Sequence, residues 1–178
     1  MRKLIFVACS FVCAALMFSC TDKGPAMAGK WVSDSKNFGN DSTATMVFTM
    51  QLNEDSTLAL DVDAVMDSQE SEAKIHMPFN FGFKGTWSLN EDKLTWHPTD
   101  STSYAKLNVD SMKITFEKEE MQMFADKITK SMKENFDKEI GKEMLGKVAK
   151  EETMKYVLDG DNLTLFIDTD TLLLHRSK

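Results

Sequence analysis

Cysteine is nearly absent from this sequence, and its distribution is informative. The 178 residues contain three cysteines, Cys9, Cys13 and Cys20, and all three lie within the first twenty positions. The rest of the chain therefore offers no disulfide, no thiol nucleophile and no thiolate ligand for a metal ion. Its fold must rest on packing alone, and a chain of this length can bury a core large enough for that.

Signatures of catalysis and metal binding are missing as well. The chain contains no Gly-x-Ser-x-Gly, Walker or His-Glu-x-x-His sequence. No pair of histidines has the spacing of a His-x-x-x-His metal site, and the only histidines are His76, His97 and His175. Acidic residues on one face of a predicted strand most often serve solubility, which is how we interpret Asp61, Asp63 and Asp67. We predict no enzyme activity, no metal site and no cofactor.

Positive charge is too scarce for a nucleic-acid partner. The chain has 21 Lys and Arg residues against 28 Asp and Glu residues, a formal charge of −7. Arg2 and Lys3 lie in the leader described next, and its removal would take the charge to −9. Such a surface repels phosphate groups, so nucleic acids and anionic lipid headgroups are poor partners.

The first twenty residues have the parts of a bacterial lipoprotein signal. Arg2 and Lys3 form a basic region, an apolar segment runs from Leu4 to Met17, and Phe18-Ser19-Cys20 forms the cleavage site. The apolar segment is shorter than the ~20 residues that a membrane-spanning helix needs. The position of the cysteine resembles that of the acylated cysteine in a lipobox. Plain secretion and an uncleaved anchor are the alternative interpretations.

These features predict a signal peptide at 1–19, a lipidated tether at 20–28 and a folded domain at 29–178. Acyl chains such as palmitate on Cys20 would hold the mature chain on a membrane, because each buried methylene contributes roughly 0.8 kcal/mol. The implied location is the envelope of a Gram-negative bacterium. The outer membrane is favoured, because Thr21 stands where an aspartate commonly marks inner-membrane retention. Whether the domain would face the periplasm or the outside stays open.

Alternation of apolar and polar residues from Trp31 to Phe116 predicts a series of β-strands. The same tetrapeptide, Leu-Asn-Glu-Asp, occurs at Leu52–Asp55 and Leu89–Asp92, in each case between two predicted strands. Further strands are predicted near the C-terminus, from Leu163 to Ile167 and from about Thr171 to Arg176. One-sided alternation is typical of an antiparallel sheet with one face in solvent. We predict one mainly β domain.

A segment of different character, at about 117–153, interrupts the strands. It contains no proline, and its apolar residues recur every three or four positions, which predicts a helix. A single rod of this length would be about 50 Å long, so we expect a break near Gly141 or Gly146. The apolar stripe consists of Met121, Phe124, Ile128, Met132, Phe136, Ile140, Met144 and Val148.

Two short motifs at the ends of the domain carry a resemblance. Gly29-Lys30-Trp31 opens the first predicted strand, and Arg176, the only arginine beyond the leader, lies in the last. A second Gly-x-Trp sequence is Gly85-Thr86-Trp87. The chain resembles the lipocalin-like (calycin-type) domain of small bacterial lipoproteins. This resemblance implies an antiparallel up-and-down barrel of about eight strands, closed by the Trp31–Arg176 pair, with a long helical insertion before the last strands.

A barrel of this size either holds one small ligand or is filled by its own side chains. The residues that would line a pocket for an apolar or amphiphilic small molecule are Met46, Phe48, Met50, Met66, Met77, Phe79, Phe81 and Phe83. They are equally consistent with ordinary core. The helical stripe is consistent with a lid, a docking face or wall packing, and as a lid it would use Met121, Phe124, Ile128, Met132 and Phe136.

Asp followed by Ser or Thr recurs along the chain, which resembles the acceptor pattern of O-glycosylation in some Gram-negative periplasms. The candidate acceptors are Ser42, Ser56, Ser101, Ser111 and Thr171. The same dipeptides are also common in turns, so both interpretations remain open. The expected function is that of a non-enzymatic, membrane-anchored lipoprotein that binds an apolar or amphiphilic ligand. The alternative is a structural or interaction lipoprotein whose filled barrel docks an unknown protein partner.

Overall fold

A computed structural model describes residues 24–38, 44–70, 72–167 and 170–177. The leader with Cys20 and the candidate acceptor Ser42 lie outside these residues. Strands predominate among the described residues, which confirms the prediction of a mainly β chain. The strands are β1 (Gly29–Ser33), β2 (Lys36–Phe38), β3 (Ala44–Leu52), β4 (Thr57–Glu70), β5 (Ala73–Asn90), β6 (Lys93–Pro98), β7 (Tyr104–Leu107), β8 (Lys113–Phe116), β9 (Glu152–Asp159), β10 (Asn162–Ile167) and β11 (Asp170–Arg176).

Eight of the described strands form a closed antiparallel barrel. They follow one another around the wall in the order β1, β3, β4, β5, β6, β9, β10 and β11, and β1 closes the ring by pairing with both β11 and β3. The remaining three extend the wall at one end, where β2 pairs with β3 and both β7 and β8 pair with the first half of β5. A closed ring removes the exposed edges that an open sheet would present.

Alternating apolar residues fill the barrel interior, as the period-two pattern predicts. On β4 the inward side chains Leu58, Leu60, Val62 and Ala64 are at most 3% exposed. They belong to one hydrophobic cluster that includes Leu94, Leu163, Leu165, Leu172 and Leu174 from the opposite wall. The outward positions between them are polar or partly exposed, which matches a sheet with one face in solvent.

One end of the barrel is closed by the short helical turn α1 (Gly24–Met27). Met27 and Trp31 are fully buried there, and the Trp31 indole Nε1 donates a hydrogen bond to the Met27 carbonyl oxygen at 2.9 Å. Three hairpin turns lie at the same end, and each has a residue with positive φ: Ser56, Glu91 and Gly160. We call the opposite end, where β4 ends and β5 begins, the mouth.

The helical insertion lies between β8 and β9. It comprises a 3₁₀-helix (Glu119–Phe124), α2 (Ala125–Asn135), a π-helical turn (Phe136–Ile140) and α3 (Gly141–Val148). The predicted range of 117–153 is therefore too long at its C-terminal end, because Glu152 and Thr153 already pair with β6. The π-helical turn ends directly before Gly141, one of the two positions at which the sequence predicts a break. No helix among the described residues has the length and apolar character needed to cross a membrane.

Gly82 occupies a position on β5 that admits no side chain. A Cβ at this residue would collide with the Leu60 carbonyl oxygen and would meet the Tyr104 ring at 3.1 Å. Gly146 on α3 has nothing within 4 Å of its Cβ position. We expect Gly82→Ala to destabilise the protein by about 1–3 kcal/mol through overpacking. Gly146→Ala should stabilise it by up to about 1 kcal/mol, because alanine is the better helix former.

Urea unfolding of the two variants and the parent protein measures both effects. Because the same atoms are added in each case, the comparison isolates the surroundings of each glycine. Changes of the same sign in the free energy of unfolding at both positions would contradict this description of the space around the two glycines.

Candidate functional site

The inward side chains of the barrel become more exposed toward the mouth. Along β4 the inward side chains go from Ala64, which is 3% exposed, to Met66, which is 36% exposed. Along β3 the inward side chains of Met50 and Leu52 are 1% exposed, whereas Met46 and Phe48, nearer the mouth, are only partly buried. We call Met46, Phe48 and Met66 the mouth residues. They form an apolar surface that faces inward and is incompletely covered.

The eight predicted pocket residues divide into two groups. Met50, Met77, Phe79, Phe81 and Phe83 are buried, with exposures between 1% and 6%. Phe79 stacks on Phe81 with the ring centroids 6.3 Å apart, and Phe83 meets the edge of Trp96 at 5.8 Å. Met50, Phe79, Phe81 and Phe83 belong to the hydrophobic core cluster, and Met77 is buried outside it. Of the eight residues, only the three mouth residues leave apolar surface open.

Phe136 anchors the helical insertion over the interior. Its ring is 1% exposed and lies 5.6 Å from the Phe79 ring, centroid to centroid. Gly141, five residues later, is buried, and a Cβ there would lie 3.3 Å from the Cβ of Ala105 on β7. The π-helical turn between them places both contacts on the barrel side. Such turns are rare inside α-helices and are frequent at functional sites.

The rest of the predicted lid is less buried than Phe136. None of the described side chains of α2 is buried; Ile128 and Met132 are partly exposed, and Phe124, which precedes α2, is 43% exposed. The 3₁₀-helix that carries Met121 is held to β8 by Gln122, whose side-chain amide accepts from the Phe116 N–H and donates to the Ile114 carbonyl. The side chains of Ile140, Met144 and Val148 lie outside the described residues.

The structure brings Trp31 and Arg176 together at the closed end. The two residues pair in the ladder between β1 and β11, and the Arg176 Cζ lies 4.2 Å from the centroid of the Trp31 ring. The guanidinium donates to the Ala28 carbonyl at 2.6 Å and the Ala26 carbonyl at 2.7 Å, and its Nε lies 3.3 Å from Asp161. Gly29 has a φ of +145°, and a Cβ there would collide with the guanidinium. The guanidinium of Arg176 can therefore take this position only because residue 29 is a glycine.

The histidines lie on the surface, each beside a polar partner. The Nδ1 atoms of His76, His97 and His175 lie 2.7 Å from Asp67, 2.8 Å from Glu151 and 2.7 Å from Asn162, respectively. Within the described ranges, no three His, Cys, Asp or Glu side chains are arranged to hold a metal ion.

Three other side chains have shifted pKa values. Burial, a hydrogen bond to Asp61 and the charges of Asp61 and Asp63 raise the pKa of Tyr104 above its ordinary value. Burial and the charge of Asp92 raise the pKa of Tyr156. Hydrogen bonds from Thr57 lower the pKa of Asp55 in the turn between β3 and β4. None of the three lies among the mouth residues.

A comparison with models of known protein families gives no match, and a comparison with curated protein sequences gives none either. The geometry of the barrel is therefore the basis for a functional proposal.

The candidate O-glycosylation acceptors Ser56, Ser101, Ser111 and Thr171 are all exposed.

Two parts of the site were not predicted from the sequence. The turn α1 lies within the predicted tether, yet its Met27 is fully buried against the barrel. Its only signal was one apolar residue close to the Gly-x-Trp motif. The second is the placement of β7 and β8, which lie within the range predicted to form strands. Both pair with the first half of β5 and carry Ala105 and Ile114 to the insertion. Alternation predicts strands there and does not show which strand they pair with.

Proposed function

We propose that this chain is a membrane-anchored lipoprotein whose barrel mouth takes up an apolar or amphiphilic small molecule without catalysing a reaction. The observation that carries the proposal is the step in exposure along β3 and β4. Inward methionine and phenylalanine side chains stay partly exposed at the mouth, whereas those below them are packed together. Apolar side chains at the mouth of a β-barrel are a usual location for a small-molecule site.

The chemistry of the mouth residues suits an apolar ligand of variable shape. Met46 and Met66 have flexible, polarisable side chains that adapt to irregular partners, and Phe48 offers a flat ring. The filled lower barrel restricts the ligand to the upper part, between the mouth residues and the insertion. This geometry also suits an up-and-down barrel of the lipocalin type, in which consecutive strands are neighbours around the wall.

The anchor would orient this site. Cys20 precedes Gly24 by four residues, which span at most about 14 Å when extended. Gly24 begins α1 at the closed end of the barrel. An acyl anchor on Cys20 would therefore hold the closed end at the membrane and leave the mouth facing away from it. The leader favours the outer membrane as that membrane.

Binding of the neutral fluorescent probe N-phenyl-1-naphthylamine tests the proposal. We expect the parent protein to bind it with enhanced, blue-shifted emission. Met46→Gln combined with Met66→Gln should weaken binding at least about tenfold, because each partly buried side chain contributes about 1 kcal/mol. The matched control is Leu173→Gln on the outer face of β11, where the leucine is 45% exposed. Equal weakening by the control and the mouth variant would refute the proposed location.

A second candidate function rests on the exposed apolar residues before α2. Met123 is 78% exposed and Phe124 43% exposed, more than a helix with no further role needs to leave open. Docking of a protein partner on this face would give a structural or interaction lipoprotein. In that case the mouth variants would leave probe binding unchanged, and substitutions at Met123 and Phe124 would abolish the association.

A further inference from the structure

A groove of about 550 Å³ runs across the outer face of β3, β4, β5 and β7. Its floor consists of two rows of cross-strand neighbours. One row is Val47, Asp63, Asn80 and Lys106, which are paired in register from strand to strand. The second row is aliphatic in its centre, where Val65 pairs with Pro78. We call this site the outer groove.

Three polar side chains of the charged row form no hydrogen bond or ion pair among the described residues. In the described part of the chain, the Asp63 carboxylate and the Asn80 amide form no hydrogen bond or ion pair, and Lys106 contacts only an aromatic ring. Asp63 and Lys106 lie on the strands to either side of β5. Because neighbouring strands are about 4.8 Å apart, their backbones are separated by roughly 10 Å. Opposite charges thus face each other across a neutral amide and beside an aliphatic surface.

Tyr104 pairs with Asp61, a second outward carboxylate of β4. Its ring crosses β5 above Gly82, where no side chain intervenes, and its hydroxyl donates to the Asp61 carboxylate at 2.5 Å. The Lys106 Nζ lies 5.7 Å from the centre of the same ring. The tyrosine thus occupies the Asp61 carboxylate and lies beside the lysine.

We propose that the outer groove binds a small zwitterion with an aliphatic body, of about dipeptide length. A dipeptide spans about 7 Å when extended. Its amine would pair with Asp63, its carboxylate with Lys106 and its peptide group with Asn80, while aliphatic side chains would lie on Val65 and Pro78. The groove also borders the core residues Ala64 and Phe79, and Leu107, which packs against the core. The site is separate from the mouth, because the side chains proposed to bind the ligand point outward from the barrel wall and the mouth residues point inward.

The probe that tests the proposal is L-valyl-L-valine, titrated into the full-length protein and followed by calorimetry. Its N-acetyl form lacks the positive charge, and its C-terminal amide lacks the negative charge. We expect saturable binding of the parent dipeptide and a loss of at least about tenfold for each blocked form, since a hydrogen-bonded charge contributes that much. In Asp63→Asn the N-acetyl form should bind as well as the free dipeptide, and in Lys106→Met the amide should do so.

Matched controls are Asp159→Asn and Lys155→Met, which remove the same charges from exposed positions on β9. They should leave the affinity within about twofold of the parent value. The proposal is overturned if the dipeptide shows no saturable binding at millimolar concentrations, or if the two blocked forms bind as well as the free one. The comparison of free and blocked dipeptides uses the parent protein, so it tests the proposal even if a groove variant fails to fold. Unchanged probe binding at the mouth in Asp63→Asn would show that the two sites are independent.

Discussion

Replacing Trp31 with alanine should lower the free energy of unfolding by about 3–5 kcal/mol, the usual cost of truncating a large buried aromatic side chain. The Trp31 ring is fully buried and lies between the interior and the Arg176 guanidinium. Its loss leaves a cavity, removes the partner of the Met27 carbonyl and uncovers the cation that closes the barrel. Urea unfolding, followed by far-ultraviolet circular dichroism, measures the change. The loss is a large share of the stability of a typical domain.

Two control variants separate the contributions. Trp31→Phe keeps an aromatic ring in the core and removes the indole N–H with part of the ring volume, so it should cost clearly less than Trp31→Ala. Leu173→Ala, at a residue 45% exposed on the outer face, should change stability by about 0.5 kcal/mol or less. A Trp31→Ala variant as stable as Leu173→Ala would mean that the tryptophan does not close the barrel.

Phe136→Ala should release the helical insertion while the barrel stays folded. Phe136 is the side chain that joins the π-helical turn to Phe79, and no described side chain of α2 is buried. The truncation is expected to cost about 3–5 kcal/mol, concentrated in the insertion. Amide hydrogen exchange should therefore quicken more than about a hundredfold across α2 and α3 and change little in β4 and β10.

Phe124→Ala is the matched control, because the same ring is removed from a position that is 43% exposed. It should leave the exchange of α2 and α3 close to that of the parent. Uniformly faster exchange of the barrel and the insertion in Phe136→Ala would show that the two unfold as one unit, against this prediction.

The elements most readily predicted from the sequence are those with a repeated local pattern. Leu58, Leu60, Val62 and Ala64 alternate with polar residues, so their common inward face follows directly from the geometry of a strand. Closure of the barrel by β1 has no such local pattern. The pairing of β1 with β11 joins residues more than a hundred positions apart, and it was predicted only through the resemblance that Trp31 and Arg176 carry.

The sequence predicts which residues face the candidate site, but it does not predict how far the packed interior extends toward the mouth. The alternation that includes Met46, Met50 and Met66 is the same from one end of a strand to the other, so it cannot show where the interior packing stops. That boundary depends on how far the insertion reaches, which Phe136 and Gly141 decide through contacts with Phe79 and Ala105. Likewise, the pairing of Asp61 depends on Tyr104, which crosses β5 from the neighbouring strand β7. Neither relation has a local signature in the chain.

The most direct measurement of the central claim is native mass spectrometry of the full-length protein purified from the membranes of the cells that make it. The account predicts one small apolar or amphiphilic molecule per chain, released when the protein is denatured. In the variant that combines Met46→Gln with Met66→Gln this molecule should be depleted, and in Leu173→Gln it should be retained. A parent protein whose native mass is that of the acylated chain alone, or a molecule retained equally in both variants, would contradict uptake at the mouth.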